Sequence, residues 1–203
     1  MSDSDFTARR RLEQLPSAEL EALQLQRLNA LLEEILPENR FYQARLSRFS
    51  FPLDSLEQLC ELPFTTKAEL TAGMNDQNIS ANITYSLDRY IRFHRTSGTH
   101  GKPLAVLDTA KDWEWWINTW QFVLDAAQLD DTDRALMAFS FGPFIGFWSA
   151  YDASIERGCL VIPTGGLSSV ARLSLIRDHA VTAVFCTPSY ALRLAEIAAE
   201  HDM

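Results

Sequence analysis

Between Pro16 and Pro37 the apolar residues Leu20, Leu23, Leu28, Leu31, Leu32 and Ile35 recur at three- and four-residue intervals. That period predicts one amphipathic helix bounded by the two prolines. A shorter helical piece is expected over Asn39–Ser47. Leu62–Lys67 then reads as an extended segment, with Thr65 or Thr66 placed to cap a helix through Leu70. The stretch GMNDQNISAN (73–82) is polar and turn-rich and is the best linker in the chain. The expected organisation is a helical N-terminal arm (1–72) and an α/β portion (73–203).

Past the linker the pattern becomes regular. Tyr90–His94 and Leu104–Asp108 read as two strands of a β-hairpin. A long helix follows from Lys111 to Ala127, with Trp113, Trp116, Trp120 and Leu124 along one face. Such a stripe is a core face or, on a second reading, a homodimer contact. From Arg134 onward short apolar runs alternate with longer helical segments. Strands are expected at Ala135–Phe139, Cys159–Pro163 and Ala183–Thr187, and helices at Ile145–Glu156, Ser168–His179 and Ser189–Glu200. This alternation predicts parallel β-α-β units, whose ligands bind beyond the C-terminal strand ends. Ser140–Gly146, Thr164–Gly166 and Thr187–Ser189 should therefore share one rim. The chain stops at Met203 as a helix finishes, and the expectation is a portion of a longer fold.

Composition narrows the classes. The 203 residues are 47% hydrophobic and 22% charged, as in a globular protein. No apolar run reaches membrane-span length, and the start MSDSDFTARRR has no apolar secretory core, so a cytoplasmic location is expected. A formal charge of -9 argues against nucleic acid, and the run Arg9–Arg11 reads as a solvated helix start. Cys60, Cys159 and Cys186 are odd in number and widely spaced, which suits free thiols. His94, His100, His179 and His201 make no metal-spaced cluster with them, and no metal site is expected.

The chemistry concentrates in RTSGTHGKP, Arg95–Pro103. Hydroxyls, glycines and a lysine between two strands suit either a tight turn or a polyphosphate-binding loop. It is not a G-x-x-x-x-G-K-[ST] loop, because Thr96 stands at the first glycine's position and Pro103 follows Lys102.

Four segments together, LPFTTKAEL (62–70), RTSGTHGKP (95–103), FGPFIGF (141–147) and TPSYALRLAE (187–196), resemble phenylacetate–CoA ligase and its close relatives in the adenylate-forming ligase superfamily. The resemblance implies a partial N-terminal domain of an adenylate-forming enzyme. Its activity would join a carboxylic acid to AMP using ATP and Mg2+, then pass the acyl group to coenzyme A. The isolated chain is expected to be inactive, and a shortened non-catalytic paralogue that binds nucleotide or a partner is the alternative. By position, Thr96, Ser97, Gly98, Thr99, His100, Gly101 and Lys102 would cradle the β- and γ-phosphates, with Lys102 as the catalytic cation. Phe139, Phe141, Gly142 and Phe144 would line the acid pocket. Two residues depart from the pattern: His100 stands where threonine is usual, and Phe147 replaces a glycine, which narrows the pocket and speaks against phenylacetate itself.

Overall fold

A computed structural model describes residues 3–74, 79–96 and 103–203. The chain divides into two compact units, Thr7–Ala110 and Lys111–Met203 with Met1–Phe6.

The first unit holds most of α1 (Asp3–Glu13), followed by α2 (Ser17–Ile35), α3 (Arg40–Arg45) and α4 (Lys67–Ala72), and then the strands β1 (Tyr90–Arg95) and β2 (Ala105–Thr109). Arg9–Arg11 lie towards the C-terminal end of α1 rather than at its start, where their charge complements the helix dipole. The inner face of α2 gives Leu32 to a core with Leu46 and Leu53, against which Leu28, Tyr42 and Phe49 pack. Asn39 caps α3 by accepting the Tyr42 N–H at 3.0 Å, and its amide reaches the Asn82 carbonyl at 2.8 Å. A short 3-10 turn at Leu56–Glu61, without a helical apolar repeat, was not foreseen. Residues 75–78 of the expected linker lie outside the described residues; just after them Ile79 bridges to Ala105, and Ile79 and Ser80 are both buried.

Of the two candidate threonines, Thr66 caps α4. Its hydroxyl accepts the Glu69 N–H while the Glu69 carboxylate accepts the Thr66 N–H at 2.8 Å, a reciprocal capping box. These Thr66 contacts, with Arg45 at 2.5 Å, hold the Glu69 carboxyl down to about 2. A depressed acid favours the fold above its ordinary value of 4.5, and the contribution disappears as pH falls toward about 2. The Thr66 amide shift in NMR is therefore expected to titrate far below the ordinary glutamate range. Glu69→Gln should keep the cap and abolish that titration; an unchanged curve would show that Glu69 is not its source.

In the second unit α5 (Ala110–Ala126) precedes the alternating elements β3 (Arg134–Met137), α6 (Ile145–Arg157), β4 (Leu160–Pro163), α7 (Ser169–Asp178), β5 (Ala183–Phe185) and α8 (Pro188–Glu200). The three strands form a parallel sheet in the order β4-β3-β5. Ala135, Leu136 and Met137 of the central strand are fully buried. The strands are shorter than the apolar runs. Phe139 lies beyond β3, although the Ala138 N–H still reaches the Phe185 carbonyl at 2.9 Å. Cys159 is drawn out of β4 because its N–H closes α6 on the Ser154 carbonyl at 3.0 Å, after Gly158 turns left-handed at φ +95°.

The tryptophan stripe of α5 faces α6 within this unit. The Trp113 indole donates to Asp152 at 2.8 Å, the Trp120 indole donates to Ser149 at 2.9 Å, and Leu124 is 1% exposed. Arg157 ties the two helices further. It donates to the Gln121 side chain at 2.9 Å, the Gln121 carbonyl at 2.8 Å, the Asp125 carboxylate at 2.7 Å and the Leu129 carbonyl at 3.1 Å.

Candidate functional site

β1 leads into the hydroxyl- and glycine-rich segment and β2 follows it. β1 and β2 are antiparallel, with Arg95 opposite Ala105 as the last pair. One step further the Thr96 N–H donates to the Leu104 carbonyl at 3.0 Å, and the Thr96 hydroxyl oxygen accepts the Leu104 N–H at 2.9 Å. Thr96 therefore closes the base of the loop, and its hydroxyl retains a proton to donate. Ser97, Gly98, Thr99, His100, Gly101 and Lys102 lie outside the described residues. Below the closure His94 and Asp108 are buried across the hairpin, Nδ1 to Oδ2 at 2.9 Å. Nothing in the spacing of the two residues announced this pair.

The second group of candidate residues sits at the C-terminal ends of the parallel strands. β4 and β5 flank β3 on opposite sides, so right-handed crossovers send the chain in opposite directions after β3 and after β4. Adjacent strands whose connections diverge open a crevice at their C-terminal ends, the usual place for a ligand in such sheets. The segments after β3 and β4 meet there. The Thr164 hydroxyl donates to the Met137 carbonyl at 2.7 Å, and a Cβ on Gly165 would lie 3.2 Å from the Phe141 ring. The three expected rim segments do share this end of the sheet.

Four phenylalanines populate that end. Phe141 takes a left-handed backbone, φ +54°, uncommon for a bulky residue. Its ring is held edge-on by Phe139 at 5.3 Å, Trp148 at 5.1 Å and Tyr151 at 5.5 Å between centroids. The Trp148 indole donates to the Gly142 carbonyl at 3.1 Å, which anchors the turn. Gly142 suits this turn because a Cβ there would come within 3.0 Å of the Phe144 ring. Phe139 stacks on Phe147 with centroids 4.6 Å apart and planes inclined by 13°, and Phe144 meets Phe147 edge-on at 5.7 Å. Phe139 and Phe141 also pack on the core of Ala135, Met137 and Cys159. All four candidate pocket residues are therefore brought together.

A polar cluster that sequence reading missed stands beside them. Arg172 of α7 is 8% exposed and donates twice to the Thr164 carbonyl, at 3.3 and 3.0 Å, and to the Tyr190 hydroxyl at 2.7 Å. The guanidinium also lies over the Tyr190 ring, 5.2 Å from its centroid. These contacts fix the end of β4 to α7 and α8. The hint was an arginine inside an otherwise apolar stretch.

All three thiols are free. Burial pushes Cys159 upward, with Asp133 adding to the effect, and burial raises Cys186 as well. Cys60 is exposed. At neutral pH a water-soluble disulfide reagent is expected to label Cys60 first and Cys159 last, as read by mass spectrometry; early labelling of Cys159 would refute the buried assignment. Among the described residues no three His, Cys, Asp or Glu side chains converge as a metal site, and no helix is long and apolar enough to cross a membrane.

This arrangement is the fold of acyl-CoA ligases of the adenylate-forming type, in part. Crystal structures of 2-hydroxyisobutyryl-CoA ligase superpose on 96% of the chain with a TM-score of 0.86 in the thioesterification state, at 24% identity and over 42% of that protein. An open conformation of the same ligase, with 2-HIB-AMP and CoA, gives a TM-score of 0.84. In sequence the chain is homologous to phenylacetate–coenzyme A ligases. It is 32% identical to the Escherichia coli K12 enzyme over 181 residues, covering 88% of this chain and 40% of the enzyme. Identity to the Pseudomonas putida enzyme is 30% over 191 residues, 91% of this chain and 43% of that enzyme. The chain thus spans about two-fifths of the length of these relatives. No protein-family model matches it.

Proposed function

We propose that this chain supplies the triphosphate loop and the acid-facing rim of an AMP-forming acid–CoA ligase. The observation that carries the reading is homology to phenylacetate–coenzyme A ligases along nine-tenths of the chain, including RTSGTHGKP. The geometry at Thr96 is consistent with it, since the loop is pinched at its base by two hydrogen bonds.

In the proposed first step a carboxylate oxygen of the acid attacks the α-phosphorus of ATP. The bond to the bridging oxygen breaks and pyrophosphate leaves, giving the acyl-adenylate. The thiol of coenzyme A then attacks the acyl carbon, and AMP departs. Ser97, Thr99 and the backbone amides of Gly98 and Gly101 would donate to the β- and γ-phosphates, joined by the Thr96 hydroxyl. Lys102 would neutralise the charge that builds on the leaving pyrophosphate. His100 would add a further ring N–H. Mg2+ would arrive on the nucleotide's own phosphate oxygens. The chemistry asked of the loop is positioning and charge stabilisation rather than covalent catalysis. Phe139, Phe141, Gly142 and Phe144 would receive the acid, and a cytoplasmic location belongs to the same proposal.

The test is direct. Mg-ATP should shift the backbone amide resonances of Ser97–Lys102 in the 203-residue protein, and pyrophosphate should compete for them. Loop resonances that ignore both ligands would sink the proposal. ATP–pyrophosphate exchange with a panel of carboxylic acids then separates a working first half-reaction from a chain that binds nucleotide without turnover.

A further inference from the structure

β1 draws little of its placement from apolar burial. Ile91 and Phe93 are both more than half exposed, and the one buried residue of the strand is His94. The pairing is also irregular. Tyr90 faces Thr109 and Arg92 faces Asp108, so two steps along β1 pass one step along β2. Beyond this bulge Phe93, His94 and Arg95 face Leu107, Val106 and Ala105 in order. A two-stranded ribbon is marginal in water, and one without a continuous apolar seam specifies its register weakly. Among the described residues only the bridge from Ile79 to Ala105 flanks it.

His94 and Asp108 supply what the apolar pattern lacks. His94 faces Val106, so its 2.9 Å contact with Asp108 runs diagonally, two residues further along β2. The two side chains are 5% and 9% exposed. A polar pair buried to that degree is satisfied only where the two groups meet, which is how such pairs select one register. Thr96 follows His94 by two residues, and its two bonds with Leu104 depend on the same register. A slip of one residue would bring Pro103 opposite Thr96, and proline has no N–H to give the Thr96 hydroxyl. The slip would also turn His94 to the other face of the ribbon, away from Asp108.

We propose that the His94–Asp108 bond latches the register of this hairpin, and that the pair are thereby positioning residues for the phosphate loop. The loop half rests on the ligase reading. The latch half rests on the pairing, the burial and the closure at Thr96.

Amide hydrogen exchange and Mg-ATP titration on the 203-residue protein read the two halves separately. His94→Phe keeps a ring of similar size and removes the Nδ1–H. The Thr96 and Leu104 amides should then exchange at least about tenfold faster, the scale of one lost hydrogen bond, and Mg-ATP affinity should fall by a similar factor. The buried Leu136 and Met137 amides of β3 should exchange as before. Asp108→Asn keeps an oxygen to accept the imidazole N–H and should hold both readouts within about twofold of the unmodified protein. A space-filling role for His94 predicts instead that the phenylalanine is tolerated. Where His94→Phe does not fold, the double variant with Asp108→Leu removes both polar groups and should still show the faster exchange. Unchanged exchange at Thr96 and Leu104 in a folded variant would overturn the latch. Faster exchange with unchanged Mg-ATP affinity would overturn the positioning role. If the unmodified protein binds no Mg-ATP, the ligase reading and the positioning role fail together, and exchange alone decides the latch.

Discussion

Replacing Arg157 by alanine is expected to destabilise the α/β unit by about 3–5 kcal/mol, the usual cost of removing one partner from a buried ion pair. The side chains of Arg157 and Asp125 are 4% and 0% exposed. The guanidinium also satisfies two oxygens of Gln121 and the Leu129 carbonyl. Alanine would take one charged partner from the buried Asp125 carboxylate and leave the Gln121 and Leu129 acceptors short of a donor. The cost is therefore mostly that of buried polar groups left short of donors rather than lost attraction. Urea unfolding followed by tryptophan fluorescence reads it well, since Trp113 and Trp120 face the same helix pair. The paired change Asp125→Leu with Arg157→Met should recover much of the loss, because it removes both buried charges together. A loss below about 1 kcal/mol in Arg157→Ala would show that water reaches the network.

Lys102→Ala is expected to weaken Mg-ATP binding by about 10- to 100-fold, the range that corresponds to ~1.5–3 kcal/mol for a hydrogen bond to a charged group. Lys102→Arg should retain most of the charge and lose part of the fit, because a planar fork and a point charge address phosphate differently. Ligand-observed NMR reads affinities even in the millimolar range, so the comparison does not depend on turnover. The salt dependence adds a second check: the unmodified protein should lose more affinity with rising ionic strength than the alanine variant does. Equal affinities for the two proteins would remove Lys102 from the phosphate contacts.

Periodicity carried most of the fold, because amphipathic helices and short buried strands write their burial directly into the order of residues. α2, α5 and the alternation from β3 to α8 were legible for that reason. The choice between Thr65 and Thr66 as cap was settled by Glu69, which stands three residues after Thr66 only. The Arg157 network was not legible, since a charged residue on a helix normally marks a solvated face. Gln121 and Asp125, spaced by four on α5, were its only trace. The candidate rim was read from strand ends and holds together as a cluster of rings. What sequence could not supply was the way those rings use one another. That Phe147 stacks face to face on Phe139 is a matter of ring orientation, and no residue pattern encodes that.

The placement of β3 has a consequence for how the chain is made. The middle strand of the sheet is the first of the three to leave the ribosome, and its neighbours arrive later, one for each side. Until β5 emerges, Ala135–Met137 presents an open row of amides and carbonyls on an apolar strand, a template for pairing with another nascent copy. Synthesis paused between α7 and β5 would prolong that exposure. The yield of folded protein should then respond to translation speed across residues 178–185 more than to speed anywhere in α1–α4.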